Sequence, residues 1–288
     1  MCSSSDPHVC VDKRLPLRFA LDAATRALRE DPRNASSGEL LVARRPGLDV
    51  SLAERFGAAL TGKLWKNGRR LRVRHLDGDP KIHAKVERHA RTWEKFANIT
   101  FEFGDHAKAE IRISYGLDGQ SWSCVGTDAL SVPQGEDTMH FGWLMPRTKD
   151  REVARVVVHE FGHALGMIHE HQHPKNPIKW NKEAVYDYYC NRLKWTRRDV
   201  NANIFAAQAR AELQLGAYDD KSIMHYPVEP QFTTDGKAVG RNFVPSTSDK
   251  KYIAKLYPKV SARRAMSAPP PSLQIAADVP EMIKRRWG

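Results

Sequence analysis

Apolar and polar residues alternate in four short segments of the chain, and this alternation predicts strands of a β-sheet. The predicted strands are residues 71–75, 99–103, 111–115 and 138–144. Between the first two, Asp79 and Pro80 begin a predicted helix with one apolar face. The residues of this face are Ile82, Val86, Ala90, Trp93 and Phe96. A helix between two strands implies a right-handed crossover, so we expect parallel strands.

A second helix is predicted between residues 150 and 165, because its apolar residues recur with helical spacing. Asp150 is the expected N-cap. Val153, Val157 and Phe161 belong to a face wide enough to pack under the sheet.

The same helix carries two histidines and a glutamate. His159 and His163 are four residues apart, so they face one side of the helix about 6 Å apart along its axis. Two imidazoles at that spacing can bind one zinc ion. Glu160 follows the first histidine directly, so its carboxylate lies beside the metal, where it can act as a general base towards a water molecule. The alternative is a buried helix whose histidines make ordinary hydrogen bonds.

His169 cannot reach the same ion if the helix continues. Ten helical residues rise about 15 Å, whereas ligand nitrogens lie about 2.1 Å from zinc. We expect Gly166 to end the helix, because glycine adopts the left-handed conformation without steric cost and the reversed chain can return His169 to the metal. The spacing of His171 and His173 fits no further ligand, so both are expected to be solvated loop residues.

A methionine-containing segment follows, with the sequence S-I-M-H-Y at residues 222–226. A methionine turn after the pattern H-E-x-x-H-x-x-G-x-x-H marks the metzincin metalloproteases. The chain resembles one metzincin family in particular, the astacins, from about Lys63 to Pro258. The resemblance is carried by Glu170 directly after the third histidine, by the form of the methionine turn and by residues 218–221 before it.

This resemblance implies an α+β metzincin (zincin-like) fold. It would have a mixed, mostly parallel five-stranded sheet with long helices in an upper subdomain, a less regular lower subdomain, and a zinc cleft between them. Residues 121–127 would correspond to the edge strand that binds an extended substrate antiparallel in this family, through backbone hydrogen bonds. The implied cofactor is Zn2+.

The resemblance also implies roles for three side chains. Met224 would form a hydrophobic floor beneath the imidazoles. Tyr226 would be a fifth, displaceable zinc ligand whose hydroxyl hydrogen-bonds the oxyanion during catalysis. Glu170 would meet the mature amino terminus through a buried polar network. The alternatives are ordinary core packing for Met224 and a buried tyrosine with a satisfied hydroxyl for Tyr226.

We expect three regions: a leader or prosegment at residues 1–62, an astacin-like catalytic domain at 63–258, and a Pro-containing, basic, flexible tail at 259–288. Short helices are predicted in the leader at residues 17–29 and 51–60. The F-x-G-D motif typical of astacin latency does not occur in it. Asp49 is one candidate to block the zinc, and Cys10 is another because a thiolate is a soft zinc ligand. An ordinary cysteine is the alternative.

The remaining cysteines limit the possible disulfides. The four cysteines are Cys2, Cys10, Cys124 and Cys190. Because two of them lie in the leader, its removal would leave a bridge from Cys124 to Cys190 as the one possible intrachain disulfide. The usual astacin disulfides therefore cannot be carried over.

The chain is strongly basic, with 46 Lys and Arg against 34 Asp and Glu and a net charge of +12. Residues 63–95 hold eleven basic and four acidic side chains, and the tail from Lys259 holds six and two. This charge suits an acidic protein substrate, as does the family's common preference for acidic residues after the scissile bond. A solvated basic surface is the alternative. No aromatic interleaving indicates a specific nucleic-acid site.

No apolar segment reaches the ~20 residues needed to span a membrane. Charged residues interrupt the apolar stretch near the amino terminus, so no signal-peptide pattern is present. We expect a monomer that is secreted without a recognisable signal peptide, with cytoplasmic action as the alternative.

Together these features predict a zinc endopeptidase that hydrolyses peptide bonds in proteins. Glu160 would be the general base and Tyr226 the oxyanion stabiliser. The alternative is a catalytically silent metzincin-fold protein, in which zinc is structural and the basic surface binds a partner. Glu160 favours the enzyme, because a silent zinc site does not need that carboxylate.

Overall fold

The computed structural model describes residues 8–11, 13, 15–16, 19–35, 62–206 and 217–259. Asp49, Cys2, the helix expected at residues 51–60 and the tail beyond residue 259 lie outside the described residues.

Six strands form one sheet in the order β1–β5–β6–β4–β2–β3. The strands are β1 (Val9–Cys10), β2 (Arg70–His75), β3 (Thr100–Phe103), β4 (Ile111–Tyr115), β5 (Gln120–Ser123) and β6 (Met139–Phe141). β2 pairs in parallel with β3 and β4, β4 pairs in parallel with β6, and β5 runs antiparallel to β6. The mixed, mostly parallel five-stranded sheet is confirmed for β2–β6, and a sixth strand comes from the leader.

Six α-helices accompany the sheet within the described ranges. They are α1 (Ala20–Glu30), α2 (Pro80–Ala90), α3 (Asp150–Ala164), α4 (Lys182–Leu193), α5 (Arg197–Val200) and α6 (Thr247–Leu256). The predicted helix after Asp79 begins as expected, because the Asp79 carboxylate accepts a hydrogen bond from the backbone N–H of Lys81. It ends at Ala90, and Trp93 lies in a separate 3-10 turn.

The prediction that Asp150 caps α3 is wrong. Lys149 is the N-cap and Asp150 is already helical. The Asp150 carboxylate instead contacts Arg88 and lies 3.1 Å from Nε2 of His89, both on α2. In the first turn it still complements the helix dipole, and it also links α3 to α2.

The upper core lies between the sheet and helices α2 and α3. In β2, Leu71 and Val73 are fully buried, whereas Arg70 at the start of the strand is exposed, as alternation requires. Phe161 of α3 packs edge-on against Phe101 of β3, with ring centroids 4.9 Å apart. Trp93 fixes the helix by donating its indole N–H to the Val158 carbonyl at 2.9 Å.

A second hydrophobic cluster forms the lower part of the molecule. It comprises Val9, Val185, Tyr189, Trp195, Val200, Ile204, Tyr226, Val228 and Phe232. These residues come from β1, α4, α5, a π-helical turn at Asn201–Phe205 and the segment after the methionine turn. Two cores on either side of the motif helix produce the expected division into an upper and a lower subdomain.

The described leader residues pack on the rest of the chain. Helix α1 contacts the 3-10 segment Gly126–Ser131. Asn34 accepts a hydrogen bond from the Leu64 N–H at 2.7 Å and donates its amide to the Leu64 carbonyl at 2.8 Å. Arg33 donates to the Leu256 carbonyl at 2.8 Å. The leader is therefore held by specific polar contacts as well as by apolar packing.

Within the described residues, none of the helices has the length and apolar character that crossing a membrane requires.

Candidate metal centre and active site

Three imidazoles converge at the end of α3. Nε2 of His163 lies 3.2 Å from Nε2 of His159 and 3.0 Å from Nε2 of His169, and the remaining pair is 3.3 Å apart. All three side chains are at most 5% exposed. The fold therefore brings together the three histidines that the sequence motif indicated.

Backbone carbonyls orient two of the rings. Nδ1 of His159 lies 2.7 Å from the Ile223 carbonyl, and Nδ1 of His163 lies 2.9 Å from the Met167 carbonyl. A carbonyl accepts only, so each Nδ1 carries the proton and each Nε2 presents a lone pair. Burial, together with the neighbouring histidines, lowers the pKa of His159 well below its usual value. The His159 ring is thus suited to bind a cation.

A zinc ion fits this donor set. The three nitrogens are 3.0–3.3 Å apart, close enough for all three to reach one zinc ion at the usual Zn–N distance of about 2.1 Å. The Nε2 atoms of His159 and His163 present lone pairs to each other at 3.2 Å, which is unfavourable unless a cation lies between them. A shared metal ion explains the convergence.

Gly166 ends α3 in the manner the sequence predicted. Its φ is +94°, in the left-handed region, and its N–H donates to the His163 carbonyl at 2.8 Å. A Cβ at this position would also lie 3.3 Å from the Lys63 carbonyl oxygen. The reversed chain then returns His169 to the other two histidines.

The methionine turn lies directly beneath this centre. Met224 is 1% exposed, and a Cβ added at Gly162 of α3 would lie only 2.5 Å from its sulfur. The turn is held by Asp249, whose carboxylate accepts from Ser222 Oγ at 2.7 Å and from the Ile223 N–H at 2.8 Å. Sequence reasoning missed Asp249, although the S-x-x-D pattern at Ser246 marked the capping box that begins α6.

The expectation that His171 and His173 are solvated is wrong. His171 is fully buried and His173 is 4% exposed. Nε2 of His171 lies 2.8 Å from the Asn203 carbonyl, and its ring packs on that of Tyr226 with centroids 4.2 Å apart. The lower subdomain covers this segment, and spacing along the sequence could not reveal that packing.

Tyr226 borders the metal centre from the lower subdomain. Its ring packs edge-on against His169, with centroids 4.4 Å apart, and its hydroxyl donates a hydrogen bond to the backbone carbonyl of Cys10. The leader thus reaches the same hydroxyl that the sequence singled out for the oxyanion.

Of the two zinc-blocking candidates, Cys10 lies within the described residues and reaches the centre. Its sulfur is 3.3 Å from Nε2 of His169, 3.6 Å from Nε2 of His163 and 3.6 Å from a carboxylate oxygen of Glu160. Cys10 and the three histidines form a set whose ligand atoms all lie within 4.8 Å of one another. Glu160 is 1% exposed, so it is buried beside the metal position.

Strand β1 lays Cys10 along β5. The Val9 N–H donates to the Gly119 carbonyl at 3.1 Å, and the Val11 N–H donates to the Ser121 carbonyl at 2.8 Å. β1 and β5 are parallel. The strand expected at residues 121–127 is shorter, because the chain turns into a 3-10 helix at Gly126, and the leader covers its free edge.

Glu170 lines a cavity of about 400 Å³, which His169 also borders. One carboxylate oxygen accepts the Asp219 N–H at 2.9 Å. Burial raises the pKa of Glu170 to about 7. Tyr218, Asp249 and Lys251 also line this cavity.

Cys124 and Cys190 form no disulfide with each other. Cys124 belongs to the upper core and Cys190 packs against the lower cluster. Burial raises the pKa of the Cys124 thiol to about 12, so it is unreactive near neutral pH.

A mixed sheet, a helix that ends at a glycine between the second and third histidines, and a methionine turn beneath them define the class of metzincin zinc metalloendopeptidases. The family model of the astacin peptidases matches residues 61–257. The chain belongs to this family, and its metal is zinc.

Two solved structures of myroilysin are similar to the chain. One is 44% identical, with a TM-score of 0.66, and the match covers 69% of this chain and 97% of that one. The other is 45% identical, with a TM-score of 0.56, over 68% and 86%. High choriolytic enzyme 1, a hatching enzyme zinc-protease from Oryzias latipes (medaka fish), is 19% identical over 68% and 94%, with a TM-score of 0.45. Comparison with curated protein sequences finds no match.

Proposed function

We propose that this zinc endopeptidase uses His159, His163 and His169 to hold the metal, with Glu160 and Tyr226 acting on the peptide. The observation that carries the proposal is the convergence of the three Nε2 atoms beside a buried carboxylate. The Cys10 sulfur lies 3.3 Å from Nε2 of His169 and 3.6 Å from a carboxylate oxygen of Glu160. The Glu160 carboxylate is therefore close to the position at which the histidines would hold the metal.

When bound, zinc supplies positive charge that polarises a peptide carbonyl and lowers the pKa of water towards neutrality. Glu160 accepts the proton of the attacking water and donates it to the nitrogen of the leaving amine. Glu160 is 1% exposed, so bulk water has little access to the proton between the two steps.

Tyr226 stabilises the oxyanion that forms on the attacked carbonyl. Its hydroxyl is a neutral donor near pH 7. The contact with the Cys10 carbonyl supports this role, because the hydroxyl already donates to a peptide oxygen at the metal centre. Met224 supports the imidazoles from below, and His171 limits the positions of the tyrosine ring.

The leader keeps the enzyme latent, with Cys10 as the blocking group. A thiolate is a good zinc ligand, and the Cys10 sulfur lies where a substrate carbonyl must enter. Removal of the leader, residues 1–62, would create a new amino terminus. The cavity beside Glu170 supports a site for it, because an ammonium group there would compensate the buried carboxylate.

We assign to Arg241 a preference for substrates that carry an acidic residue after the scissile bond. This residue lines the cavity beside His159 and Glu160, together with Arg155 and Glu229. Arg155 is already paired with Glu152, at 2.6 Å. Arg241→Gln should therefore weaken hydrolysis of peptides with aspartate after the scissile bond, whereas Glu229→Gln should strengthen it.

The test of the proposed function is hydrolysis of casein by the zinc-loaded chain. A chelator should abolish activity, and added zinc should restore it. Glu160→Gln should bind zinc as well as the parent chain does and lose at least a hundred-fold in kcat, because general-base catalysis contributes roughly 10²–10⁴-fold. Undiminished hydrolysis by Glu160→Gln would exclude this glutamate as the base. Inactivity of the parent chain in every processed form would favour the silent binding protein.

A further inference from the structure

The leader occupies the groove in which a substrate would lie, and its side chains mark contacts along that groove. β1 follows β5 in parallel, on either side of the Cys10 contact with the metal centre. A substrate bound antiparallel to β5 would follow the same path in the opposite direction. Its carboxyl-terminal part would lie at the Gln120 end of β5, where the leader places His8, and its amino-terminal part at the Ser123 end, where the leader places Lys13.

At the Gln120 end, the His8 imidazole lies flat on the indole of Trp143. The ring centroids are 4.7 Å apart and the planes differ by 5°. Trp143 cannot turn freely, because its Nε1 donates to a carboxylate oxygen of Glu152 at 3.3 Å and the side chain is 7% exposed. The adjoining cavity also includes Leu117 and Arg147, so the platform opens into a groove that can hold a larger side chain.

At the other end, the Lys13 ammonium lies over the face of Trp122, 4.1 Å from the ring centroid. This distance is typical of a cation–π contact. Trp122 is half-buried and also stacks with His140, with centroids 6.0 Å apart. Nδ1 of His140 lies 2.6 Å from Ser114 Oγ, which holds the histidine and therefore the indole in place.

We propose that Trp143 and Trp122 are substrate subsites on opposite sides of the scissile bond. Trp143 binds a planar side chain, aromatic or imidazole, two residues after that bond (P2′). Trp122 binds a lysine or arginine three or four residues before it (P3 or P4). The leader uses both subsites in reverse, with His8 and Lys13 in place of the substrate residues. This inference rests on the proposed function for the position of the scissile bond and the direction of the substrate.

The expected selectivity follows from the strength of the two contacts. A stacked aromatic pair increases binding about two- to twelve-fold beyond its buried area. An exposed cation–π contact increases it about two- to five-fold. Each subsite should therefore change kcat/KM by a measurable factor without being essential for hydrolysis.

The test uses the zinc-loaded full chain carrying Cys10→Ala, with four fluorogenic peptides that share one scissile bond. The peptides carry phenylalanine or alanine at P2′, each combined with lysine or alanine at both P3 and P4. Ratios of kcat/KM between peptides are compared, because any competition from the attached leader affects all four equally. Trp143→Leu should lose the phenylalanine preference and keep the lysine preference, and Trp122→Ala should do the reverse, so each variant is the control for the other.

Three outcomes are informative. A preference that survives loss of its tryptophan overturns the corresponding subsite. A uniform loss for all four peptides shows that the tryptophan is structural and also overturns it. If Trp143→Leu does not fold, Trp143→Phe should keep a reduced phenylalanine preference, and a complete loss there would contradict the stacking. The proposed function is tested separately, by hydrolysis of the peptide with alanine at P2′, P3 and P4 and by the loss of that hydrolysis in Glu160→Gln.

Discussion

Replacing Cys10 by alanine in the full chain should release only part of the proposed latency. The substitution removes a sulfur that lies 3.3 Å from His169 and 3.6 Å from His163. It leaves the backbone of β1 in place, together with the hydrogen bond from Tyr226 to the Cys10 carbonyl. The metal position becomes accessible, while the rest of the strand still competes with substrate.

The size of the remaining inhibition follows from the contacts that survive. The Val9 N–H donates to the Gly119 carbonyl at 3.1 Å, the Val11 N–H donates to the Ser121 carbonyl at 2.8 Å, and the Tyr226 contact is the third. At about 0.5–1.5 kcal/mol each, these three hydrogen bonds alone hold the leader by about 1.5–4.5 kcal/mol, and the contacts of His8 and Lys13 with Trp143 and Trp122 add to this. Because about 1.4 kcal/mol corresponds to a factor of ten, Cys10→Ala should stay at least about ten-fold less active than the processed enzyme.

The assay is hydrolysis of a fluorogenic peptide by zinc-loaded chains before and after removal of the leader. Cys190→Ala is the matched control, because Cys190 packs against the lower cluster and should leave latency unchanged. The processed forms of parent and both variants should have equal activity. If unprocessed Cys10→Ala is no more active than the unprocessed parent, the thiol is not the blocking group. If it is as active as the processed enzyme, the strand contacts contribute nothing.

Three further predictions concern stability. Lys63→Met should lower the free energy of unfolding by about 3–5 kcal/mol in urea denaturation, because it leaves Asp128 buried without its partner. Replacing Asp128 by leucine in the same chain should restore most of that loss. Burial, with the charge of His83 second, lowers the pKa of His75 to about 4, so its contribution is complete above pH 6.5 and is lost as the pH falls towards 4. Comparing unfolding at pH 7.5 and pH 5, His75→Gln should remove roughly 1–2 kcal/mol of the pH dependence, and an unchanged slope would contradict this. Gly166→Ala should lower the free energy of unfolding by about 1–2 kcal/mol, because alanine is strained in the left-handed conformation. It should also weaken zinc binding, measured with a competing chelator. Parent-like stability and zinc affinity would show that the turn relaxes easily.

Local patterns were sufficient for much of the fold. Alternation placed Ile111–Tyr115 without error, and the crossover rule correctly predicted parallel pairing of β2 with β3. The ten-residue separation of His159 and His169 required a turn, and Gly166 has the positive φ that the turn needs. These features depend on residues within a short stretch of the chain, so the sequence contains their physical cause.

Features that depend on distant packing were missed or left open. His171 and His173 resemble solvated histidines in sequence, but the fold buries both, and the carbonyl that His171 contacts belongs to Asn203 in the lower subdomain. Asp249 supports the methionine turn from 26 residues beyond Ile223, and no local periodicity connects the two. Cys10 and Asp49 were both candidates to block the zinc, and the pairing of β1 with β5 brings Cys10 to the metal centre.

The direction of β1 has a consequence for the kinetics of activation. Because the peptide around Cys10 lies parallel to β5, its carbonyls and amide nitrogens meet the metal centre in reversed order compared with an antiparallel substrate. The bonds that rest in the cleft are therefore not the bonds that the cleft can cut. A molecule whose leader stays in this register does not cut itself there, so we expect the first cleavage to come from a second molecule and the proposed activation to be bimolecular. A dilute preparation would then stay latent far longer than a concentrated one, and a trace of processed enzyme would abolish the lag.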